Sequence, residues 1–416
     1  MAQIQKATGF VDWLDQRLAV KKLVDVLMVK YWIPKQINFL WAMGVILTTL
    51  FAILFVTGLF LVMYYKPDTA LAFDSVNKTI MQEVEYGWLW RHLHGVAASV
   101  TFLIIYIHML TGIYYGSYKK GREMIWISGM LLFVAFSAEA FSGYMLPWGQ
   151  MSYWAAQVIT QLFSGVPFIG DALVIWIRGD YAVSDPTLTR FFMLHVCLLP
   201  ILIMLIIAIH FYSLRVPHVN NEISEEIDFE VEAQKYQSGD TKGAKVIPFW
   251  PGFLSKDFMY ICLFMIFFFY LVCFKFNFAM DPINFDPANA LKTPAHIYPE
   301  WYFLWSYEVL RGFFFDIAGI SAFNIGLVAF GIAQIIFFLL PWLDRSDVVK
   351  PAHHRPAFFI WFWVLLVDMI VLTIYGKLPP TGMNAWVGFY ASITFLLLLL
   401  VVLPIITIRE RKKESK

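Results

Sequence analysis

Eight stretches of this chain, at about residues 38–63, 88–115, 125–146, 190–214, 257–275, 321–342, 357–376 and 385–408, are long and apolar enough to cross a bilayer. Lipid offers no water to a bare peptide group, so each stretch must satisfy its backbone internally as a helix. The fold expected is therefore an all-α membrane protein with eight transmembrane helices. With 60% of residues apolar and only 15% charged, a soluble domain is excluded. Two acids, Glu139 and Asp368, sit inside apolar stretches.

Basic residues set the orientation. With the N-terminus placed in the cytoplasm, 22 of the 31 Lys and Arg fall on the cytoplasmic side, and the tail RERKKESK also ends there. Both termini inside fits an even number of spans. The formal net charge of +1 and the lack of a basic stripe argue against nucleic acid as a partner. No short apolar run with a small-residue cleavage site opens the chain, so no cleavable signal is expected. Residues 10–30 read instead as an amphipathic helix on the cytoplasmic face, ending near Pro34; a soluble cap helix is the alternative. Cys197, Cys262 and Cys273 fall in spans and read as structural filler; no C-x-x-C-H is present for covalent haem.

These signals divide the chain into an N-terminal surface helix (1–36), a four-span bundle (37–215), a polar cytoplasmic linker (216–256), a second four-span unit (257–408) and a basic tail (409–416). The linker is too poor in apolar residues to fold alone. Two long outer loops are not simply polar. Residues 147–189 hold WGQMSYWAAQVITQLF and GDALVIWI, which read as short helices lying at the membrane surface, and residues 276–320 are dense in aromatics.

The chemistry lies in the first half. His94 and His108 share the second span, His195 and His210 the fourth. Fourteen residues end about 40° short of a whole number of turns and fifteen about 60° past one, so both members of each pair can face the same way. Buried imidazole is costly in lipid without a partner and is the commonest haem-iron ligand. Two such helices face to face could hold two irons roughly 21 Å apart at 1.5 Å rise per residue. Gly44 and Gly58 in the first span, and Gly129 and Gly143 in the third, repeat the spacing of fourteen and would clear room for a flat ring. Span direction puts His94 with His195 near the outer face and His108 with His210 near the cytoplasm. Arg91 and Arg190, three and five residues before the outer ligands, are placed to pair with propionates or else to snorkel. On residues alone two other classes stay open: a multispan transporter whose histidines bind substrate or protons, and another di-haem quinone-reactive membrane anchor.

RHLHGVAAS, GYMLPWGQMSYW, DPTLTRFFMLH and PEWY, in that order, resemble the motifs of the cytochrome b subunit of cytochrome bc complexes, over nearly the whole chain from about residue 30. The resemblance implies two non-covalent b-type haems on the four histidines. It implies a quinol oxidised at an outer site, one electron passing to a Rieske iron–sulfur protein and the other through the haems to an inner quinone site. It also implies a c-type cytochrome subunit, a homodimeric complex in lipid, and the bacterial cytoplasmic (inner) membrane. Glu300 of PEWY would take the quinol proton, with Tyr302, Tyr307 and Tyr144 around it; an exposed loop acid and an interfacial aromatic belt are the plainer readings. Asp257 would bond the inner quinone, although an acid at a helix N-terminus is also an ordinary placement.

The chain departs from the mitochondrial pattern in several places. The fourth-span ligands are fifteen apart, and Arg215 stands five residues past His210 where those members have a quinone-binding His; both features resemble the photosynthetic type. Arg215 can donate a hydrogen bond but cannot release a proton, so inner-site protonation must use another group. Thr111 replaces the inner-propionate Arg, for which Lys119, Lys120 and Arg122 are the candidate substitutes. Ala155 replaces a common Gly after Trp154, which predicts weak binding of strobilurin-type inhibitors; an inhibition titration unchanged by Ala155→Gly would refute that. Glu139, one turn before Gly143, either tunes the outer haem as a protonated, hydrogen-bonded group or makes a structural bond to a neighbouring helix.

Overall fold

The computed structural model describes residues 9–19, 21, 24–119, 121–275, 278 and 280–414. Among the described residues, seven helices are long and apolar enough to cross a membrane: Phe39–Val62, Gly87–Tyr114, Glu123–Met145, Asp185–Arg215, Phe249–Phe274, Pro356–Lys377 and Met383–Lys412. The remaining apolar stretch, predicted over 321–342, is an α-helix only across Ala322–Ile335. It then tightens into i→i+3 turns, Phe338 to Ile335, Leu339 to Ile336 and Leu340 to Phe337, before a last turn at Leu340–Leu343. Pro341 explains the tightening: it has no N–H to donate to the Phe337 carbonyl, which takes the Leu340 N–H instead. The fold is all-α in its membrane part, as the apolar pattern requires.

The first span packs on the second and the third on the fourth, which brings each glycine-bearing helix against a histidine-bearing one. Leu304–Arg311, in the second half, lies against the Ala322–Ile335, Pro356–Lys377 and Met383–Leu397 helices. One continuous apolar core runs from Phe102, Phe133 and Ile203 in the first half to Trp305, Trp361 and Phe395 in the second.

The fourth span is not uniform. Between Asp185–Met193 and Leu199–Arg215 the residues Leu194–Leu198 form a wide turn, with the Leu199 N–H bonded to the Leu194 carbonyl. Pro200 has no N–H to return to Val196, which favours this local i→i+5 pattern. The wide turn begins beside His195 and takes up one extra residue. It accommodates the fifteen-residue spacing without turning His195 away from His210.

The N-terminal region is less regular than a single amphipathic helix. Phe10–Leu18 is helical, but Ala19 adopts a left-handed conformation (φ 49°) and ends it. Residues 1–8, 20, 22 and 23 of that predicted element lie outside the described residues. Past it, Trp32–Pro34 pairs antiparallel with Val246–Pro248 of the polar linker, Ile33 opposite Ile247. The linker also holds the helix Phe229–Gln237, capped by Asp228. It is ordered by leaning on the N-terminal segment rather than by a core of its own.

On the outer side, residues 147–189 contain the helices Gln150–Leu162 and Gly170–Arg178. Asn284 from the second outer loop pins the first: its Oδ1 accepts from the Ser152 N–H at 2.8 Å and from the Ser152 hydroxyl at 2.9 Å. A Cβ at Gly149 would stand 2.2 Å from the Asn284 carbonyl oxygen, so only glycine permits this approach.

Candidate functional site

The outer pair, His94 and His195, face each other with ring centroids 6.1 Å apart and planes at 80°. The inner pair, His108 and His210, stand 6.5 Å apart at 71°. Two imidazoles sharing one metal at about 2 Å per nitrogen place their rings roughly 6 Å apart, so both gaps fit one metal each.

Each glycine lies against its own histidine. A Cβ at Gly143 would come 2.4 Å from His195 Cε1; at Gly129, 3.3 Å from His210; at Gly58, 3.4 Å from His94; at Gly44, 3.8 Å from His108. The residue before two of these glycines carries a hydroxyl that holds the ring. Thr57 Oγ1 lies 2.8 Å from His94 Nδ1 and donates its own proton to the Ile53 carbonyl at 2.7 Å. Ser128 Oγ stands likewise 2.9 Å from His210 Nδ1 and donates to the Met124 carbonyl. A hydroxyl that has spent its proton can only accept, so these Nδ1 atoms carry hydrogen and leave Nε2 as the free donor pair. At His195 the Nδ1 partners are the carbonyl and the carboxylate of Glu139. Thr57 and Ser128 escaped the sequence reading; a hydroxyl directly before a spaced glycine was the signal.

The outer pair opens into a cavity walled also by Arg91, Glu139, Tyr144, Glu300 and Tyr302. Five residues singled out from sequence motifs far apart in the chain therefore meet at one place. Burial pushes the Glu300 carboxyl up to about 7, with nearby Asp281 adding to the effect and Tyr144, Arg91 and Lys377 opposing it. Tyr302 is buried; its ring stacks on Phe102 at 3.9 Å, and its carbonyl accepts from the Tyr106 hydroxyl at 2.5 Å. Trp301 donates to the Ser99 hydroxyl at 2.7 Å, which fixes the PEWY segment on the second span.

Three predicted residues are placed elsewhere. Tyr307 lies outside the cavity wall and donates to the Ile297 carbonyl at 3.1 Å, bracing the loop that presents Glu300. Arg190 is exposed and donates to the Trp176 carbonyl, packed over Gly179. Five residues of helix put it roughly 140° from His195, whereas Arg91, three before His94, does face the cavity. Ala155 is buried on its helix but lies outside the cavity wall.

On the cytoplasmic side, Arg215 lies 4.4 Å over the ring of Tyr31. Tyr31 stacks on His218 at 5.6 Å, and His218 on Phe229 at 4.0 Å. Tyr31 Oη, His218 Nδ1 and Asp257 Oδ1 are buried with no hydrogen-bond partner among the described residues. Burial holds the His218 imidazole below its ordinary value, and Arg122 and Arg215 add to that. Thr111 bonds back to the Ile107 carbonyl at 2.7 Å. Lys119 is committed to Asp344 at 2.9 Å, Lys120 lies outside the described residues, and Arg122 keeps a buried Nε with no partner among them.

The family models agree with this architecture. One described as Cytochrome b/b6/petB matches residues 28–217, and one described as Cytochrome b(C-terminal)/b6/petD matches residues 287–396. The chain belongs to the cytochrome b family. Among its relatives, "Cytochrome b" of Rhodobacter capsulatus is 40% identical, covering 97% of this chain and 92% of its own length. "Cytochrome b" of Rickettsia typhi is 39% identical, covering 97% and 95%. A solved chain titled "Hyperthermophilic respiratory Complex III" superposes with a TM-score of 0.86 at 38% identity, over 97% of this chain and all of that one. Membership makes the chain a multi-pass membrane protein that binds b-type haem, and the paired imidazoles and glycine clearances fit that group.

Proposed function

We propose that the chain is the di-haem b subunit of a bacterial respiratory cytochrome bc complex, acting as quinol:cytochrome c oxidoreductase and coupling quinol oxidation to proton translocation. One observation carries this reading. Two imidazole pairs face each other at opposite ends of the same two helices, each against a glycine, and three of the four rings have Nδ1 held by an oxygen. When bound, two haems supply a path for one electron from the outer to the inner side.

The protein's own groups divide the remaining work. The carboxylate of Glu300, poised near neutrality beside the outer pair, accepts a quinol hydroxyl proton. Tyr302 and Tyr144 shape the pocket and exclude water, and Tyr307 holds the loop from behind. Arg91 neutralises outer propionates, and Arg122 the inner ones in place of the Arg missing at Thr111. At the inner site Asp257, Tyr31 and His218 offer a quinone buried atoms that have no hydrogen-bond partner among the described residues, with Arg215 as a fixed cation beside them. The second electron leaves through a Rieske iron–sulfur protein docking on the outer loops, beside a c-type cytochrome subunit. The complex is a homodimer in the cytoplasmic membrane, with both termini of this chain inside. The first four spans form the haem domain and the last four the domain bearing PEWY, joined by the linker.

An optical redox titration of the purified complex tests the proposal. Two b-type haems per chain with separate midpoints are expected. A complex without haem would return the histidines to transport or proton binding.

A further inference from the structure

Arg311 ends the short helix Leu304–Arg311 that follows PEWY, and its side chain is only 12% exposed. Its Nε donates to Glu308 Oε2 at 2.6 Å. Glu308 is buried in turn, and a Cβ at Gly388 would run into its Oε1, so the last span is shaped to admit this carboxylate. A buried cation stripped of its partner is strongly destabilising; Glu308 therefore keeps the guanidinium where it is. Two arms run from that guanidinium to one loop. Arg311 stands 5.0 Å over the Tyr307 ring, and Tyr307 donates to the Ile297 carbonyl at 3.1 Å. Arg311 Nη2 also donates to the carbonyls of Tyr375 and Leu378, the latter at 2.6 Å. This fixes the end of the helix Pro356–Lys377, and cationic donors suit the carbonyl end of a helix. Lys377 lies between those two residues. Its carbonyl accepts from His296 Nε2 at 2.9 Å, and its ammonium lies 5.7 Å from the Tyr298 ring. Both arms thus land on His296 and Ile297, which lead into Glu300.

We infer that Arg311, locked by Glu308, is a positioning residue for the outer site: it braces the Glu300 loop through Tyr307 and holds Lys377 toward the Glu300 carboxyl. That carboxyl is faced by Arg91 of the second span, Tyr144 of the third, Asp281, Tyr298 and Tyr302 of the outer loop, and Lys377. Burial and Asp281 favour its neutral form, and Lys377 is among the groups favouring the charged one. Freeing the turn that carries Lys377 therefore raises the proton affinity of Glu300. The acid limb of quinol oxidation moves to higher pH as a result. The inference rests on the reading of Glu300 as the acceptor of the quinol proton.

The test is the pH–rate profile of quinol oxidation in the intact complex, with haem content as the check on assembly. R311M should carry the acid limb up by roughly half a pH unit, less than the ~1–3 units of a cation in contact. K377M should carry it the same way. The double variant should move the limb no further than K377M alone, because both changes act through one ammonium; independent effects would add. Should R311M fail to assemble, R311K answers the same question. It keeps a cation but loses the planar fork that grips the turn, and must still move the limb. A limb that stays put in the Arg311 variant or in K377M, whatever the rate, overturns the inference. Shifts that add in the double variant overturn it as well. Loss of the complex from both Arg311 variants makes the residue one of folding and overturns it too. An E300Q profile that keeps the acid limb would instead sink the reading of Glu300.

Discussion

The hydroxyl of Thr57 stands 2.8 Å from His94 Nδ1 while giving its own proton to the Ile53 carbonyl, so it serves the ring only as an acceptor. Replacing Thr57 with Val keeps the shape and removes the hydroxyl acceptor of the His94 imidazole, leaving the Leu54 carbonyl as its remaining partner. Loss of such a supporting partner typically costs 10- to 100-fold in metal-site affinity. T57V should therefore retain the outer haem about 10- to 100-fold less tightly, with the inner one unaffected, as measured by haem loss to an acceptor protein.

The four glycines should not be equally sensitive. An added methyl meets His195 at 2.4 Å at Gly143, but His108 only at 3.8 Å at Gly44. G143A should abolish the outer haem and spare the inner. G129A and G58A, at 3.3 and 3.4 Å, should weaken their own haems without abolishing them. Haem stoichiometry across the series checks the order; equal losses from G143A and G44A would contradict it.

Glu300, raised to about 7 by burial, is half ionised near neutral pH. Its ionised form is the one able to accept a proton, so quinol oxidation should fall as the pH drops below about 7 and level off above it. E300Q should lower the rate about 10²- to 10⁴-fold and erase that acidic limb. A pH–rate profile of the variant that keeps the limb would assign it to another group.

A buried ion network closes the cytoplasmic end. Arg355 bonds Asp344 at 3.1 Å and Glu410 at 2.7 Å, and Lys119 bonds Asp344 at 2.9 Å. Burial works to raise the Asp344 carboxyl, but Arg355 and Lys119 outweigh it and hold it below its ordinary value. A depressed carboxylate stabilises the fold above its unfolded pKa and loses that contribution as the pH falls through the folded one. D344N should cost about 3–5 kcal/mol, since it strands the buried Lys119 ammonium and leaves Arg355 to Glu410 alone. Thermal unfolding in detergent and earlier proteolysis of the C-terminal tail should report it.

Much of this was legible before any coordinates. The helical period carries the His94/His108 and Gly44/Gly58 registers almost unaided, because a span in lipid has little freedom to be anything but a helix. Legibility ended where tertiary contact decides. The Trp32–Pro34 and Val246–Pro248 strands are three residues long and over two hundred apart, so neither announces itself. The break at Ala19 has no Gly or Pro to mark it. Arg190 and Tyr307 sat in the right motifs but on the wrong faces, which only the packed helices reveal. Tyr31 and His218 gained meaning from each other, across nearly two hundred residues.

The wide turn at Leu194–Leu198 has a consequence for how such chains are compared. A helix that can swallow a residue beside its own ligand makes a gap of fourteen and a gap of fifteen two spellings of one geometry. Counting letters between the histidines then says little about kinship. Deleting one position in that turn together with Pro200→Ala should give a plain helix with both imidazoles still aligned, and the pigment intact.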